Sequence, residues 1–167
     1  MTGSGSGNGR AIAVAPAAEG ATVVCSDIRR ETREGGYESD ANTSTDELIT
    51  ATGGKAQYVE ADAGSYSSME NLVDTAVRAY GRLDVMVNNA GIFFGLHTIV
   101  DETEDEYDRT MLVNFKSVWL GSKFAIRQML PQDPVDGSRG RVVNIASIGG
   151  LVGSRPSQAI APPRAPW

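Results

Sequence analysis

The stretch Thr2-Gly3-Ser4-Gly5-Ser6-Gly7-Asn8-Gly9-Arg10 places four glycines at alternate positions directly before the run Ala11-Ile12-Ala13-Val14. Glycine lets the backbone adopt conformations that are closed to other residues. The first turn of a helix offers unpaired N–H groups and the positive end of the helix dipole. A glycine turn that opens a helix therefore predicts a cradle for phosphate. On these residues alone, a flexible glycine/serine linker is the open alternative.

The segments that follow favour the cradle. The β-branched, apolar run over residues 21–25 predicts a strand, which ends at Asp27. Asp27 follows Gly7 by about 20 residues, the spacing at which an acidic residue at the end of the next strand binds the ribose hydroxyls of NAD. A carboxylate there repels the 2′-phosphate of NADP. The sequence therefore predicts NAD, with NADP disfavoured only in part because Arg29 and Arg30 reduce the repulsion.

Composition limits the classes of protein to consider. With 41% hydrophobic and 22% charged residues over 167 positions, the chain has the make-up of one soluble globular domain. The net charge of −6 indicates no basic face for nucleic acid, and no apolar run approaches the ~20 residues that span a bilayer. The single histidine excludes a histidine-cluster metal site, and the single Cys25 is predicted to be a small buried side chain. No secretory signal is recognisable, so we expect a cytoplasmic protein without nucleic-acid, membrane or metal partners.

Beyond Asp27, helical and extended patterns alternate, which predicts a parallel sheet with right-handed crossovers. The polar segment 31–46 is predicted to be mainly a loop. Pro16 falls inside the first predicted helix, where proline costs about 3 kcal/mol. The predicted helices cover residues 10–19, 47–51, 67–80 and 103–130, and the further predicted strands cover residues 56–60, 83–87 and 141–146.

Two capping boxes mark predicted helix starts. Ser67 with Glu70, and Thr103 with Glu106, match the pattern in which a cap residue and a glutamate satisfy each other's backbone N–H groups. The helix after Thr103 carries apolar residues at helical spacing, so one side is predicted to pack in the core. The side chains placed in the core are Tyr107, Met111, Phe115, Val118 and Leu120, with Trp119 and Phe124, for which a partner subunit is the alternative.

Four motifs in order resemble the short-chain dehydrogenase/reductase family over nearly the whole chain. Residues 2–9 fit its Thr-Gly-x-x-x-Gly-x-Gly turn, and residues 88–91 fit its Asn-Asn-Ala-Gly motif. Residues 113–114 fit the position of its asparagine, and residues 144–147 fit the strand that leads to its catalytic serine. The resemblance implies an α/β fold of Rossmann type, a doubly wound parallel sheet with helices on both faces. We expect that fold to be incomplete, with the first strand and the last helix and strands missing from a partial NAD(P)-binding domain over residues 1–159.

The resemblance also implies an oxidoreductase that transfers hydride between a nicotinamide cofactor and a small alcohol or ketone, usually as a homo-oligomer. Ser147 would hydrogen bond to the substrate oxygen, although it also suits a strand end. Asn114 would hold a water in a proton relay, although it also suits a buried structural position. The implied cofactor contacts are Gly3, Ser4, Gly5, Ser6, Gly7, Asn8, Gly9, Asp27, Ile28, Asp62, Ala63, Asn89, Ala90 and Gly91.

The chain departs from the family's pattern at both ends. Only Met1 precedes the glycine turn, where the family has a strand. The family's catalytic Tyr-x-x-x-Lys is absent, since the matching positions hold Ile160 and Arg164. We interpret residues 160–167 as a non-native tail, which a shifted reading frame accounts for, and we expect the chain as given to be inactive. A non-catalytic nucleotide-binding remnant and a non-functional gene fragment are the open alternatives.

Overall fold

The computed structural model describes residues 1–33, 36, 38, 40–95 and 97–152, so the predicted tail over residues 160–167 lies outside the described residues. Within the described part, no helix is long and apolar enough to cross a bilayer. The elements in chain order are α1 (Gly7–Ala18), β1 (Thr22–Asp27), α2 (Thr45–Ala51), β2 (Lys55–Glu60), α3 (Tyr66–Tyr80), β3 (Val85–Asn88), α4 (Glu104–Thr110), a π-helical segment (Met111–Lys116), α5 (Ser117–Met129), β4 (Arg141–Asn144) and a 3₁₀ turn (Ile148–Gly150).

The strands form two parallel pairs, as the alternation of elements predicts. β1 pairs with β2 in a register that places Val24 opposite Gln57. β3 pairs with β4 in a register that places Asn88 opposite Asn144. Because parallel neighbours need a crossover, each strand pair is connected through helices.

The start of the chain lies between the two pairs. The backbone N–H of Thr2 donates to the carbonyl of Val87 on β3 (3.0 Å), and the carbonyl of Met1 accepts from Ser26 on β1 (3.1 Å). Thr2 and Ser26 form an isolated parallel bridge. Residues 1–2 thus hold the place of a central strand without forming one, which gives the incomplete sheet predicted from the sequence.

Helices cover both faces of the sheet. Val23 and Cys25 of β1 are buried against α1 and α2, whereas the intervening Val24 packs against a second cluster. Successive residues of a strand point to opposite faces, so the two clusters lie on opposite sides. The second cluster is built mainly from α3 and α5, with Met69 and Phe124 fully buried. The doubly wound arrangement is therefore confirmed.

Cys25 is a small buried side chain, as predicted. Its side chain is 1% exposed and lies in the cluster formed by β1, α1 and α2. Burial raises the pKa of its thiol to about 11, so the thiol remains protonated and unreactive at neutral pH.

Helix α3 does not begin with the predicted capping box. Its cap is Ser65 instead of Ser67, and the Ser65 hydroxyl accepts from the N–H of Ser68 (3.4 Å). Glu70 instead binds Arg127 of α5 (2.8 Å). Ser65 and Ser67 lie on the same turn and can both cap the helix. Glu70 does not complete a capping box because it forms a long-range ion pair.

The capping box at the start of α4 is confirmed. The Thr103 hydroxyl accepts from the N–H of Glu106 (3.3 Å), and the Glu106 carboxylate accepts from the N–H of Thr103 (2.8 Å). The helix that follows is divided by the π-helical segment and therefore does not run unbroken from 103 to 130 as predicted.

The predicted burial of this helix is wrong for much of its length. Leu120 and Phe124 are fully buried, but Trp119 is 52% exposed and Phe115 is 67% exposed. Tyr107 and Met111 are also exposed. The wider turn of the π-helical segment changes the direction in which earlier residues point, so one helical period does not describe all three segments.

We expect the isolated chain to unfold gradually and without one cooperative transition. The backbone hydrogen bonds that link β1 with β3, within the described part of the chain, run through residues 1–4, and two-stranded units are marginally stable. Near-UV and far-UV circular dichroism recorded on one heating series test this expectation. A sharp transition at the same temperature by both signals would contradict it.

Candidate cofactor and active site

The glycine stretch is a folded turn and not a linker. Gly7 has a φ of +56°, which disfavours a side chain, and it begins α1. At Gly9, an added Cβ would lie 1.8 Å from the carbonyl oxygen of Gly3. The backbones of Gly3 and Gly9 therefore approach each other at a distance that only glycine permits. Because these residues have no side chains, the backbone N–H groups at the start of α1 stay accessible to an anion.

These N–H groups already bind carboxylates. The N–H of Gly5 donates to Asp27 Oδ2 (3.0 Å), and the N–H of Gly7 donates to the carboxylate of Glu38. Carboxylate and phosphate oxygens are bound by the same kind of backbone donor. The turn therefore has the donor set of the predicted phosphate cradle.

Asp27 stands at the carboxyl end of β1, beside the turn. Besides Gly5, the N–H of Ile28 donates to its carboxylate (2.8 Å), and the Ile28 side chain is exposed. Arg30 is paired with Asp46 (2.6 Å) and with Glu47 (3.4 Å). The charge of Arg30 is thus balanced by other carboxylates, which weakens its predicted effect on the charge of Asp27.

The Asn-Asn-Ala-Gly segment is tied to the glycine turn. The hydroxyl of Thr2 accepts from the N–H groups of Asn89 and Ala90, at 3.2 Å each. The Asn89 amide donates to the carbonyl of Gly3 (2.9 Å). The predicted cofactor residues of these two motifs therefore form one connected surface at the carboxyl edge of β3.

A hydrogen bond between two side-chain amides sets the position of β4. Asn88 is 3% exposed, and its Nδ2 donates to Asn144 Oδ1 (2.8 Å) and to the Ser122 hydroxyl (3.3 Å). Because Asn144 ends β4, this pair fixes the strand from which the chain continues to Ser147.

Asn114 lies in the π-helical segment and is exposed, so its predicted alternative as a buried residue is wrong. Its Oδ1 accepts from the N–H of Ile92 (2.8 Å), and its Nδ2 donates to the carbonyl of the same residue (2.9 Å). Both ends of the amide are thus used to hold the segment that follows Gly91. π-helical turns inside helices are frequent at functional sites.

Ser147 is exposed and begins the 3₁₀ turn after β4. Its hydroxyl oxygen accepts from the N–H of Gly149 (3.1 Å), which leaves its proton available to a ligand. At the end of β2, Asp62 is exposed and accepts from the N–H of Gly64 (2.8 Å). Ala63 is buried in the core, so it can offer a ligand only its backbone.

The structure gathers the predicted residues at one edge of the sheet. A different parallel strand ends at or shortly before each of four predicted residues, Asp27, Asp62, Asn89 and Ser147. In open α/β sheets, this edge is where ligands bind. Neither the catalytic nor the cofactor roles of these residues are tested by the geometry alone, and they remain predictions.

Sequence reasoning missed the part of the cradle that comes from the polar segment after β1. Arg10 is 4% exposed and binds Asp40 (2.7 Å) and the carbonyl of Thr43 (2.8 Å). Thr45 donates from its hydroxyl to the carbonyl of Ser4 (2.6 Å). A charged residue at the start of an otherwise apolar helix, facing an acid-rich segment, was the available signal.

The turn, the acidic strand end and the two-faced parallel sheet define an α/β protein of the dinucleotide-binding class. Residues 1–159 match the family model described as short chain dehydrogenase. The chain belongs to the short-chain dehydrogenase/reductase family, as its motifs predict.

Known relatives are longer than this chain. An uncharacterized oxidoreductase of Thermotoga maritima is 40% identical over 154 residues, which are 92% of this chain and 54% of that protein. Cyclopentanol dehydrogenase of Comamonas testosteroni is 35% identical over 154 residues, which are 92% of this chain and 56% of that enzyme. A crystal structure of a short chain dehydrogenase from Mycobacterium smegmatis aligns with a TM-score of 0.80 and 31% identity, over 96% of this chain and 62% of that one. The chain thus spans about half the length of the curated relatives that it matches.

Proposed function

We propose that the whole protein is an NAD(H)-dependent oxidoreductase acting on a small alcohol or ketone, as a cytoplasmic homo-oligomer, and that the 167-residue chain as given is inactive. The observation that carries the proposal is the glycine turn, whose N–H groups bind the carboxylates of Asp27 and Glu38. Relatives named cyclopentanol dehydrogenase and tropinone reductase-like support an alcohol or ketone as the substrate class.

The residues of the cradle fit a dinucleotide. An added Cβ at Gly9 would clash with the carbonyl oxygen of Gly3, so glycine at this position preserves the turn that presents the α1 N-terminus to phosphate. Asp27 would accept hydrogen bonds from the adenosine ribose, and Asn89 and Gly91 would line the same cleft. When bound, the nicotinamide supplies or accepts the hydride.

The substrate oxygen would be held by Ser147. Its hydroxyl proton is available, because only the oxygen is used in the bond from Gly149. A donor aimed at the carbonyl oxygen stabilises the charge that develops there during reduction. Asn114 would fix the neighbouring segment through Ile92 and hold a water in a proton relay.

A second candidate is nucleotide binding without turnover. It is favoured by a complete glycine turn in a sequence that holds Ile160 and Arg164 at the positions of the family's tyrosine and lysine. In this candidate, residues 1–159 are a partial binding domain and residues 160–167 are a non-native tail. Turnover by a chain in which the upstream strand and the shifted downstream frame are both restored would favour the first candidate, whereas cofactor binding without turnover by that chain would favour the second.

We expect NADH to bind at least about tenfold more tightly than NADPH, a difference of about 1.4 kcal/mol. The reason is that the Asp27 carboxylate repels a 2′-phosphate, while Arg30 is paired with Asp46 and Glu47. Calorimetric titration with each dinucleotide measures the ratio.

Two variants control the cofactor experiment. Asp27→Asn keeps an acceptor for the N–H of Gly5 but removes the charge, so it should reduce the ratio of NADH affinity to NADPH affinity. Asp74→Asn removes an equal charge from the exposed side of α3 and should leave the ratio unchanged. Equal or tighter binding of NADPH by the unmodified chain would overturn the expected preference.

A further inference from the structure

A buried arginine holds residues 40–45, in the polar segment after β1, against the glycine turn. Arg10 lies in the first turn of α1, and its guanidinium binds the Asp40 carboxylate at 2.7 Å with the arginine side chain 5% exposed. The same guanidinium donates to the carbonyl of Thr43 (2.8 Å) and to the hydroxyl of Thr45 (3.3 Å). Because Thr45 in turn donates to the carbonyl of Ser4, both sides of the turn are fixed to this segment.

Glu38 extends from this anchored segment into the cradle. One oxygen of its carboxylate accepts from the N–H of Gly7, the first residue of α1. The other oxygen, Oε2, is shielded from solvent and has no hydrogen-bond partner among the described residues. The backbone N–H of Gly7 lowers the pKa of Glu38, so the group that occupies the cradle is an anion at neutral pH.

We propose that the Glu38 carboxylate is a built-in occupant of the phosphate cradle, which a dinucleotide must displace in order to bind. The inference rests on the proposed function, since it concerns the same cradle. The N–H of Gly7 has one proton, so it can donate a full hydrogen bond to a carboxylate oxygen or to a phosphate oxygen, but not to both at once. Two anions held a few Å apart also repel each other. Glu38 therefore sets the affinity for the cofactor by the fraction of molecules in which the cradle is open.

The size of the effect follows from that fraction. If the cradle is open in about one tenth of the molecules, the apparent affinity is about tenfold weaker than that of an open cradle. Replacing Glu38 by glutamine removes the charge and weakens the acceptor for the Gly7 N–H. NADH and ADP should then bind about tenfold more tightly, whereas adenosine, which has no phosphate, should bind unchanged.

The test compares the unmodified chain, Glu38→Gln and Glu31→Gln by titration with NADH, ADP and adenosine. Glu31 is an exposed carboxylate on the same segment, so it controls for the loss of one negative charge nearby. Tighter binding of NADH and ADP by Glu38→Gln alone is the expected result. Unchanged or weaker binding would overturn the inference, the latter because it would mean that Glu38 contacts the cofactor favourably.

A measurement without nucleotide keeps the inference testable apart from the proposed function. The ¹⁵N–¹H resonance of Gly7 should shift in Glu38→Gln and stay in place in Glu31→Gln, because only Glu38 accepts its hydrogen bond. An unmoved Gly7 resonance would overturn the inference. Failure of all three proteins to bind NADH would count against the proposed function, whereas equal binding by all three would count against the role of Glu38 alone.

Discussion

The 167-residue chain is expected to form no NADH above background when it is given NAD and secondary alcohols. Oxidation of an alcohol needs a group that takes the hydroxyl proton, and a positioned acid or base contributes about 10²–10⁴-fold. Ser147 can form a hydrogen bond to the substrate oxygen, but its own pKa is too high for this task. The matching positions for the family's tyrosine and lysine hold Ile160, whose side chain can neither accept nor donate a proton, and Arg164, which stays protonated and therefore cannot accept one.

The assay follows NADH absorbance with cyclopentanol among the substrates and a full-length relative as the positive control. The double variant Ile160→Tyr with Arg164→Lys should also be inactive. In the sequence, Pro162 and Pro163 lie between these positions, and proline disfavours the helical turn that would bring the two side chains to one face. Turnover by the unmodified chain near the ~10 s⁻¹ that is typical of enzymes would refute the expectation.

Substituting Gly9 is expected to abolish both nucleotide binding and the remaining tertiary structure. The Cβ of alanine at this position would lie 1.8 Å from the carbonyl oxygen of Gly3 and 2.6 Å from the Asn89 amide nitrogen. The first contact is with backbone, which cannot rotate away, so the turn must open. Overpacking of this kind costs typically about 1–3 kcal/mol, a large share of the stability of a domain whose sheet is incomplete.

The Gly9→Ala experiment has a matched control on the same helix. Ala15 is exposed on α1 and is not among the predicted cofactor contacts, so Ala15→Ser adds one side-chain atom away from the glycine turn. Near-UV circular dichroism and NADH titration should both lose their signal for Gly9→Ala and keep it for Ala15→Ser. A Gly9→Ala protein that retains its spectrum and binds NADH would show that the turn can adapt.

The cap of α3 shows where a local pattern was insufficient. Ser65 and Ser67 both precede the same apolar face, and Glu70 completed the capping pattern only with Ser67. In the folded chain, Arg127 of α5 binds Glu70. Arg127, which lies on a different helix, determines the partner of Glu70, and a pattern of neighbouring residues cannot predict this contact.

The helix after Thr103 shows a different limit. Its apolar residues were correctly assigned to a helix, but Phe115 and Trp119 are exposed while Phe124 is buried. Apolar spacing identifies a helix and one of its faces. It does not show what, if anything, covers that face, nor does it reveal a π-helical segment that rotates one half of the face relative to the other.

The sequence by itself determined the family, the parallel α/β fold, the glycine turn and the acid at the end of β1, because motifs and hydrophobic periodicity are encoded over short distances. Only the tertiary structure decided what fills the cradle. Glu38 and Arg10 acquire their roles from contacts made across about 30 residues of chain. Such contacts depend on how the polar segment after β1 returns to α1. The loop-forming residues of this segment do not predict its course. The buried charge of Arg10 favours the course that brings a carboxylate to it, because burying a guanidinium without a partner is costly.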